Sequence, residues 1–410
     1  MVFNRYEVEH LFIVRNKLPG LSKSLSKKFR FVIQKSATMF IRELSVMNYK
    51  NFGEATLTFS RKVNCFIGNN GVGKTNLLDA IYYLSFCKSY FNNPDSQNIR
   101  HLEDFFALQG KYELNSVKEE IHCGYKNGQK KKIRRNKKEY ERFSDHIGLL
   151  PLVMISPADS VLIQGGSEER RRFMDSVISQ YDRTYLDWLV KYNRVLQQRN
   201  TVLKNYAGQP AIDQDIFSIW DEQLLFLGRK IHIKRGQFLH ELLPVFQKYY
   251  TLISGGNETV SLEYGSQLND QTFEVLLKES FTRDRIVQFT TCGIHKDDLE
   301  LKLGGYPIKR LGSQGQNKTY LIALKFAQFD FIRSLNSIKP ILLLDDIFDK
   351  LDSGRVEEIV KLVADDHFGQ IFITDTNREH LDGILREAGG DDFRIFVVDK
   401  GTISLIMEKR

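Results

Sequence analysis

The pattern of hydrophobic and polar positions divides the chain into three stretches. Before residue 157, short alternating runs such as residues 105–112 and 119–125 predict antiparallel strands. Between residues 161 and 288, apolar side chains recur at three- and four-residue steps, which predicts helices. After residue 289, strands return and alternate with helices. The pattern therefore predicts an α/β protein whose two halves are separated in sequence by a helical insert.

The helical stretch contains two amphipathic segments, which we expect to form an antiparallel helical pair. The first is marked by Tyr185, Trp188, Tyr192, Val195, Arg199 and Val202. The second is marked by Trp220, Leu224, Leu227, Ile231, Phe238 and Leu242. At a rise of about 1.5 Å per residue, each helix would span roughly 35–50 Å. Packing in a core explains both stripes without a cofactor.

The same pattern predicts four segments. Residues 1–38 are basic and lack the apolar region of a signal peptide, so we interpret them as a disordered N-terminal extension or a start-site artefact. The remaining segments are 39–160 (first half of the α/β domain), 161–288 (helical lever-arm insert) and 289–410 (second half).

A glycine-rich segment lies between a strand-like run and a predicted helix. It reads Gly68, Asn69, Asn70, Gly71, Val72, Gly73, Lys74 and Thr75, which fits the Walker A pattern G-x-x-x-x-G-K-[ST] without a mismatch. In such a loop, backbone N–H groups hold phosphate oxygens, the lysine reaches the β- and γ-phosphates, and the threonine hydroxyl binds Mg²⁺. The pattern predicts an ATP site, with Lys74 also catalytic; the alternative is a glycine turn that happens to precede a lysine.

A second part of the site is predicted in the run 341–346, where four apolar residues precede Asp345 and Asp346. A buried strand that ends in carboxylates is what Mg²⁺ chemistry requires. We expect Asp345 to hold the metal and Asp346 to polarise the attacking water. The alternative is a strand followed by an acidic turn.

A third part is predicted at Ser313 and Gly315, which precede a long predicted helix over residues 316–335. A hydroxyl and bare N–H groups at a helix N-terminus suit a γ-phosphate contact. Taken in isolation, the same residues are only a helix cap.

Composition adds information on the class of protein, its partners and its compartment. The 410 residues are 42% hydrophobic and 27% charged, as in an ordinary globular protein. No apolar stretch reaches about 18 residues, so we expect no membrane span. The net charge of +8 favours an anionic partner such as nucleic acid, although solubility alone also explains it. The four cysteines are too widely spaced to indicate zinc or a disulfide framework, which favours a cytoplasmic protein.

Two basic segments are candidate DNA contacts. One lies in a predicted hairpin around Asn127 and Gly128, and the other opens a predicted helix. The candidates are Lys130, Lys131, Lys132, Arg134, Arg135, Arg170, Arg171 and Arg172. Cations on phosphate bind DNA without reading its sequence, and no base-reading element is evident. A solvated hairpin and a solvated first turn are the alternatives.

The order of these motifs resembles the head of an ABC-type ATPase. The residues that resemble its signature motif are Ser313, Gln314, Gly315 and Gln316. Those that resemble its D-loop are Leu351 and Asp352. The position of its switch residue is occupied by Thr374 and Thr376. A glutamine-loop equivalent is placed only as a candidate, at residues 156–159. Several segments are more specific and resemble the RecF family of bacterial recombinational-repair ATPases: 39–52, 68–75, 156–159, 165–175 and 293–299.

The resemblance implies a head-to-tail homodimer with two ATP molecules, in which Ser313 acts catalytically in the partner's site. It implies binding to duplex DNA beside single-stranded gaps, slow DNA-stimulated ATP hydrolysis, and partnership with RecR, RecO and RecA in repair, recombination, replication and the SOS response to DNA damage. Three positions depart from the family or ABC pattern: Ile294 replaces a proline, no histidine stands at the switch, and Asp346 stands where most ABC ATPases carry glutamate.

Three other classes of protein are alternatives to the RecF family. A transporter domain is disfavoured because 238 residues separate Thr75 from Ser313. A head of the SMC/Rad50 type is closer, but it carries coiled coils hundreds of residues long, whereas the insert here has the length of a helical hairpin. A DNA-binding scaffold that holds ATP without turnover stays open because of the short carboxylate of Asp346.

Overall fold

The computed structural model describes most of the chain after residue 37. The described residues are 38–92, 94–207, 214–256, 258–336, 338–349, 351–365, 367–376, 383–384 and 392–409. The predicted N-terminal extension therefore lies outside the described residues, apart from Thr38.

An antiparallel sheet forms from the first part of the chain, as the alternating pattern predicts. Its strands are ordered β2-β1-β4-β5-β6-β7. Their bounds are β1 Met39–Tyr49, β2 Phe52–Thr58, β4 Phe105–Leu114, β5 Val117–Lys126, β6 Lys132–Arg135 and β7 Lys138–Glu139. Every second residue from Phe106 to Tyr112 of β4 is buried, so one face of the sheet packs on the core.

A mixed sheet brings together strands that are far apart in sequence, in the order β15-β14-β3-β13-β12-β8. Their bounds are β3 Val63–Ile67, β8 Leu152–Ile155, β12 Ile341–Asp345, β13 Ile371–Asp375, β14 Phe393–Asp399 and β15 Thr402–Lys409. All of these pairings are parallel except that of β14 with β15. Leu342 and Leu343 belong to hydrophobic clusters on opposite faces of the sheet, which explains the uninterrupted apolar run of β12.

The described residues form seven helices longer than one turn. They are α1 Lys74–Phe86, α2 Ser167–Ser179, α3 Arg183–Asn205, α4 Ser218–Ser254, α5 Phe273–Val287, α6 Gln314–Asn336 and α7 Ser353–Ala364. One-turn helices are Val161–Gln164 and Ile308–Leu311. The predicted helical pair corresponds to α3 and α4. Helix α4 also packs on α6, where the rings of Phe246 and Tyr320 lie 4.7 Å apart. No helix in the described part of the chain has the length and apolar character of a membrane span.

A third, small sheet was not predicted. It has the order β11-β10-β9, with bounds β9 Val260–Gly265, β10 Asp298–Leu303 and β11 Tyr306–Pro307. The strand β9 alternates Val260 and Leu262 with polar residues, a period-two signal that the surrounding helices obscure. Because β9 pairs with β10, this sheet crosses the predicted boundary at residue 288. The predicted domain bounds stay a prediction.

Two buried arginines tie the helical region together. Arg199 of α3 bonds to Asp221 at 2.6 Å and to Asp284 at 2.8 Å. Arg235 of α4 bonds to the carboxylates of Asp175 and Asp297, each at 2.9 Å. Each guanidinium joins segments distant in sequence and is neutralised there by carboxylates.

Candidate functional site

The predicted phosphate loop connects β3 to α1, at the carboxyl end of a central parallel strand. Its backbone requires glycine at two positions. Gly73 has φ 113°, and a Cβ there would lie 2.3 Å from the Asn51 amide nitrogen. Gly68 has φ 154°, and a Cβ there would lie 2.4 Å from the Val398 carbonyl oxygen. The loop is therefore held close to two neighbouring segments by contacts that a side chain would break.

Lys74 lies beneath this loop rather than in solvent. Its side chain is buried, and its ammonium donates hydrogen bonds to the carbonyl oxygens of Gly68, at 2.8 Å, and Asn69, at 3.1 Å. Asn69, Asn70 and Gly71 form the exposed rim of the loop. The cation is thus already positioned inside the turn whose N–H groups would hold phosphate.

Asp345 is the centre of a cluster of hydroxyl groups. Its Oδ1 accepts hydrogen bonds from Thr75 Oγ1 and Thr374 Oγ1, each at 2.8 Å. Its Oδ2 accepts one from Ser156 Oγ at 3.2 Å. The adjacent strands β13, β12 and β8 bring three of these side chains to the carboxyl edge of the sheet. The contact between Thr75 and Asp345 joins two motifs that lie 270 residues apart in sequence.

This donor set fits Mg²⁺. A threonine hydroxyl and a carboxylate supply oxygen ligands, and Mg²⁺ in nucleotide sites takes one or two such protein ligands together with phosphates and water. Thr75 and Asp345 are the residues that would hold the ion. The described residues contain no cluster of three or more His, Cys, Asp or Glu side chains arranged as a metal site of their own. The arrangement therefore depends on phosphate oxygens to complete the coordination.

Asp346 occupies a strained position directly after β12. Its φ of 45° is in the left-handed region, which costs a non-glycine residue about 1 kcal/mol or more. Its backbone N–H donates to Thr374 Oγ1 at 3.1 Å. Burial, reinforced by the nearby Asp345 charge, raises the pKa of its carboxyl group, whereas Lys74 and Lys318 lower it. Its Oδ1 is buried without a hydrogen-bond partner in the described structure, so this carboxylate has an unused acceptor beside the phosphate loop.

The turn at residues 156–159 touches the same cluster. Ser156 and Asp159 form a capping box, in which Ser156 N donates to Asp159 Oδ2 at 2.8 Å. Asp159 also pairs with Lys325 of α6 at 2.7 Å and bonds to the Tyr90 hydroxyl. The candidate glutamine-loop equivalent is therefore in contact with Asp345 through Ser156 and with the signature helix through Lys325.

The signature-like motif begins α6, and Ser313 caps the helix as the pattern predicts. Gln316 N donates to Ser313 Oγ at 3.2 Å, and Ser313 N donates to Gln316 Oε1 at 2.8 Å. Gln316 Nε2 donates to Glu258 at 2.5 Å. Ser313 and Gln314 are exposed and Gly315 is half-buried. The motif is thus presented on the surface, bonded to itself and to Glu258.

The predicted D-loop and switch residues both follow Asp346 in sequence. Asp352 caps α7, since its Oδ1 accepts from Arg355 N at 3.0 Å, while Leu351 is half-buried. Thr374 is buried and bonds to Asp345, whereas Thr376 is exposed at the end of β13. Thr374 therefore supports the two acids instead of facing solvent, and Thr376 is the more accessible of the two.

Three of the DNA candidates are used in the fold. The ammonium of Lys131 bonds to Asp95 at 2.8 Å and to the Cys87 carbonyl at 2.6 Å, and only 12% of its side chain is exposed. Arg135 makes two hydrogen bonds to Glu119, and Arg170 makes two to Asp298. These contacts explain the three cations without DNA, so we do not include them in the proposed interface.

The other DNA candidates differ in their exposure and in their hydrogen-bond partners. Lys130, Lys132 and Arg134 are exposed on or beside β6. Arg171 donates to the Asp297 carbonyl at 2.6 Å. Arg172 is 62% exposed and pairs with Glu168 and Glu169 of its own helix, as in an ordinary solvated turn.

Sequence reasoning missed Asn51, which holds the phosphate loop. Its Nδ2 donates to the Val72 carbonyl at 2.8 Å, and its Oδ1 accepts from Asn76 at 2.7 Å. An asparagine in a turn between two strands carries no pattern that identifies such a contact. The one available signal was its place in the family-like segment 39–52.

The fold and the site define an ABC-type ATPase head. A family model described as the RecF/RecN/SMC N-terminal domain matches residues 40–402. The structure of an Smc head bound to the C-winged helix domain of ScpA has a TM-score of 0.53 and 15% identity, covering 90% of this chain and 98% of that one. The Smc likeness supports the fold alone.

Within that class, the chain belongs to the RecF family, which confirms the resemblance seen in its motifs. The DNA replication and repair protein RecF of Bacteroides fragilis is 57% identical over 372 residues, covering 90% of this chain and 100% of that protein. RecF of Flavobacterium johnsoniae is 51% identical over 348 residues, covering 85% and 97%. The structure of the recombination mediator protein RecF-ATP in the RecFOR pathway has a TM-score of 0.80 and 28% identity, covering 90% and 100%.

Proposed function

We propose that this chain is an ATPase that binds duplex DNA next to single-stranded gaps as an ATP-closed homodimer and helps to load recombinase there. One observation carries the proposal. Thr75 of the phosphate loop and Asp345 of the acidic strand meet at 2.8 Å, and next in sequence is Asp346, whose Oδ1 has no hydrogen-bond partner in the described structure. This is the arrangement that binds a nucleoside triphosphate and orients water toward its γ-phosphate.

The residues have distinct roles in this proposal. The loop N–H groups and Lys74 hold the β- and γ-phosphates, and Lys74 leaves its two loop carbonyls to do so. Thr75 and Asp345 would hold Mg²⁺, which would supply charge neutralisation at the phosphates. Asp346 accepts a hydrogen bond from the attacking water and orients it. Its side chain is shorter than that of glutamate, which supports slow turnover.

The exposed signature supports the proposed dimer. Ser313 lies at the N-terminus of the 23-residue helix α6, where a hydroxyl and N–H groups favour an anion. In a head-to-tail homodimer, Ser313 of one subunit contacts the nucleotide of the other. The exposed cations of the β5–β6 hairpin, Lys130 and Lys132, contact DNA phosphates.

The partners and setting follow from the family. Relatives carry the name DNA replication and repair protein RecF, and the ATP-bound relative is described in the RecFOR pathway. We therefore propose RecR, RecO and RecA as partners, in the cytoplasm and in the SOS response to DNA damage. A protein with these partners acts at double-strand to single-strand junctions.

A second candidate function is a DNA-binding scaffold that holds ATP without turnover. Asp346 favours it, because its side chain is shorter than the glutamate that most ABC ATPases carry at this position. Steady-state ATP hydrolysis, measured with and without gapped DNA, separates the two functions. Asp346→Asn is the matched control, since any phosphate release that it retains does not come from this site.

The experiment for the main proposal is fluorescence anisotropy of a gapped duplex titrated with the protein in ATP, in ADP and without nucleotide, at one fixed salt concentration. We expect tighter binding only with ATP, lost in Lys74→Met and in Ser313→Arg. Lys361→Met is the control, because Lys361 is an exposed cation paired with Glu357 and Glu358 on α7. Equal binding in all three nucleotide conditions would contradict the ATP-closed dimer.

A further inference from the structure

Two cations join the signature helix to the segment that carries the catalytic acid and the D-loop. Lys318 of α6 donates from Nζ to the carbonyl oxygen of Asp346 at 3.3 Å and to that of Asp349 at 2.5 Å. Lys318 lies five residues after Ser313, little more than one helical turn along α6. A single side chain thus reaches from the signature to the backbone at Asp346.

Arg355 makes the second connection. Its Nη1 donates to Thr319 Oγ1 of α6 at 2.8 Å, and its Nε pairs with Asp352 at 3.0 Å. The same guanidinium lies under Gly315, where a Cβ would be 3.6 Å from Nη1. The D-loop is therefore attached to the helix that presents the signature.

Asp346 is consequently held from two directions. Its N–H is fixed by Thr374 on β13, and its carbonyl oxygen is held by Lys318 on α6. The strand is buried in the sheet, whereas α6 begins on the surface at Ser313. A shift of α6 relative to the sheet changes the peptide geometry at Asp346, where the φ of 45° already leaves little freedom.

We propose that Lys318 is a positioning residue that couples the signature of a subunit to the catalytic acid of the same subunit. When the nucleotide of the partner binds at Ser313, α6 is drawn into the dimer interface, and Lys318 carries that movement to the carbonyl of Asp346. Each site is then ready for hydrolysis only when the other is occupied. This inference rests on the proposed dimer and deepens it by naming how the two sites communicate.

The first test replaces Lys318 by Met, which keeps the length of the side chain and removes the donor. We expect kcat for ATP to fall about tenfold to a hundredfold, the loss that misplacement of a catalytic group by about 1 Å causes. KM and ATP-driven dimerisation should stay within twofold of wild type, because the described hydrogen bonds of Lys318 are to carbonyls beyond β12. Lys318→Arg retains the donor and should recover most of kcat, and Lys361→Met is the control.

Mixed dimers test whether the effect acts within one subunit. With Asp346→Asn in one subunit, only the other subunit turns over. Lys318→Met placed in the active subunit should lower turnover about tenfold, whereas the same substitution placed in the Asp346→Asn subunit should leave turnover within twofold. The reverse result would overturn the assignment, as would equal loss in both arrangements.

The outcomes separate this inference from the function on which it rests. Wild-type protein that neither dimerises with ATP nor hydrolyses it contradicts the proposed function before any variant is made. An active wild type with a Lys318→Met variant of equal kcat contradicts the coupling alone. A variant that loses ATP affinity or folding, and that arginine does not rescue, shows a structural role for Lys318 and also overturns the inference.

Discussion

The helical region and the ATP site both bury charged groups, but they stabilise those groups differently. In the helical region, Arg199 and Arg235 are each paired with two carboxylates. At the ATP site, Asp345 is surrounded by three hydroxyl groups and Asp346 has an oxygen without a partner. Hydroxyl donors stabilise a carboxylate without neutralising it. In the first arrangement each buried cation faces carboxylates, although Arg199 Nη2 and Asp297 Oδ1 also lack hydrogen-bond partners in the described structure. In the second, hydroxyl groups rather than cations surround Asp345, which leaves its negative charge available for a cation.

This difference suggests that the paired arginines contribute to stability, whereas the acids of the ATP site contribute to function. An internal cation that pairs with carboxylates from several segments fixes the packing of those segments. A buried acid that lacks a cation lowers stability, and such costs are common at functional sites. Substitutions in the two regions should therefore have opposite effects on folding and on turnover.

The largest effect is expected from Arg235→Met, which leaves the buried carboxylate of Asp297 without its cation. Removal of one partner from a buried pair costs about 3–5 kcal/mol, and we expect the free energy of unfolding in urea to fall by that amount. Arg172→Met removes an exposed cation from the adjacent helix α2 and should change stability by less than about 0.5 kcal/mol. If Arg235→Met is as mild as Arg172→Met, the buried arginines do not fix the helical region.

The next largest effect is expected on kcat for ATP, from Asp345→Asn. This substitution keeps the size of the side chain and removes its charge. Loss of the proposed Mg²⁺ ligand would remove several kcal/mol of transition-state stabilisation, so we expect kcat for ATP to fall about a hundredfold or more. Folding should be little changed, because the amide oxygen still accepts from Thr75 and Thr374. Steady-state phosphate release and urea unfolding check the two statements. A large loss of stability would show that Asp345 serves the fold, as the buried arginines do.

A smaller effect on stability is expected from Asp346→Asn, and its sign is opposite to that of Arg235→Met. The pKa of Asp346 is raised on folding, so its contribution to stability is present below its unfolded pKa and is lost as pH rises through the folded pKa. Asparagine does not titrate and adopts positive φ more readily than most residues. We expect Asp346→Asn to stabilise the protein by about 1 kcal/mol at pH 8, less at pH 5, and to abolish turnover.

Urea unfolding of wild type and Asp346→Asn at the two pH values measures this difference. The same raised pKa predicts that wild-type kcat falls as pH drops, since a protonated carboxyl group cannot act as a base toward the attacking water. Equal stabilisation by Asp346→Asn at pH 5 and pH 8 would argue against a titrating Asp346.

The same contrast explains how much of the molecule could be predicted. The phosphate loop and the acidic strand are contiguous motifs whose residues must stand at fixed spacing, so Lys74, Thr75 and Asp345 could be placed from sequence. The apolar residues of α3 and α4 recur at three- and four-residue steps, which is also a local pattern, so both helices could be predicted. By contrast, Asn51, Lys318 and Arg355 act through contacts with segments distant in sequence, and no local spacing marks such residues. The strand β9 was missed because it is short and flanked by helices.

The role of a charged residue is the hardest property to predict. The neighbours of a lysine decide whether it is solvated, forms an ion pair within the fold or contacts DNA. Lys131 and Lys132 are adjacent in sequence, yet Lys131 is held by Asp95 whereas Lys132 is exposed. A basic run therefore marks only the region in which phosphate contacts are sought.

The smallest expected effect distinguishes these two lysines. Lys132→Ala should weaken binding to gapped DNA about equally for all sequences and reduce the slope of log K against log salt by about one, since one phosphate contact is lost. Lys131→Met should leave that slope unchanged and lower stability, because Asp95 loses its ion pair. Anisotropy titrations at four salt concentrations, with Lys361→Met as control, measure the slopes. A reduced slope for Lys131→Met but not for Lys132→Ala would reverse the assignment and place the DNA on the Asp95 side of the hairpin.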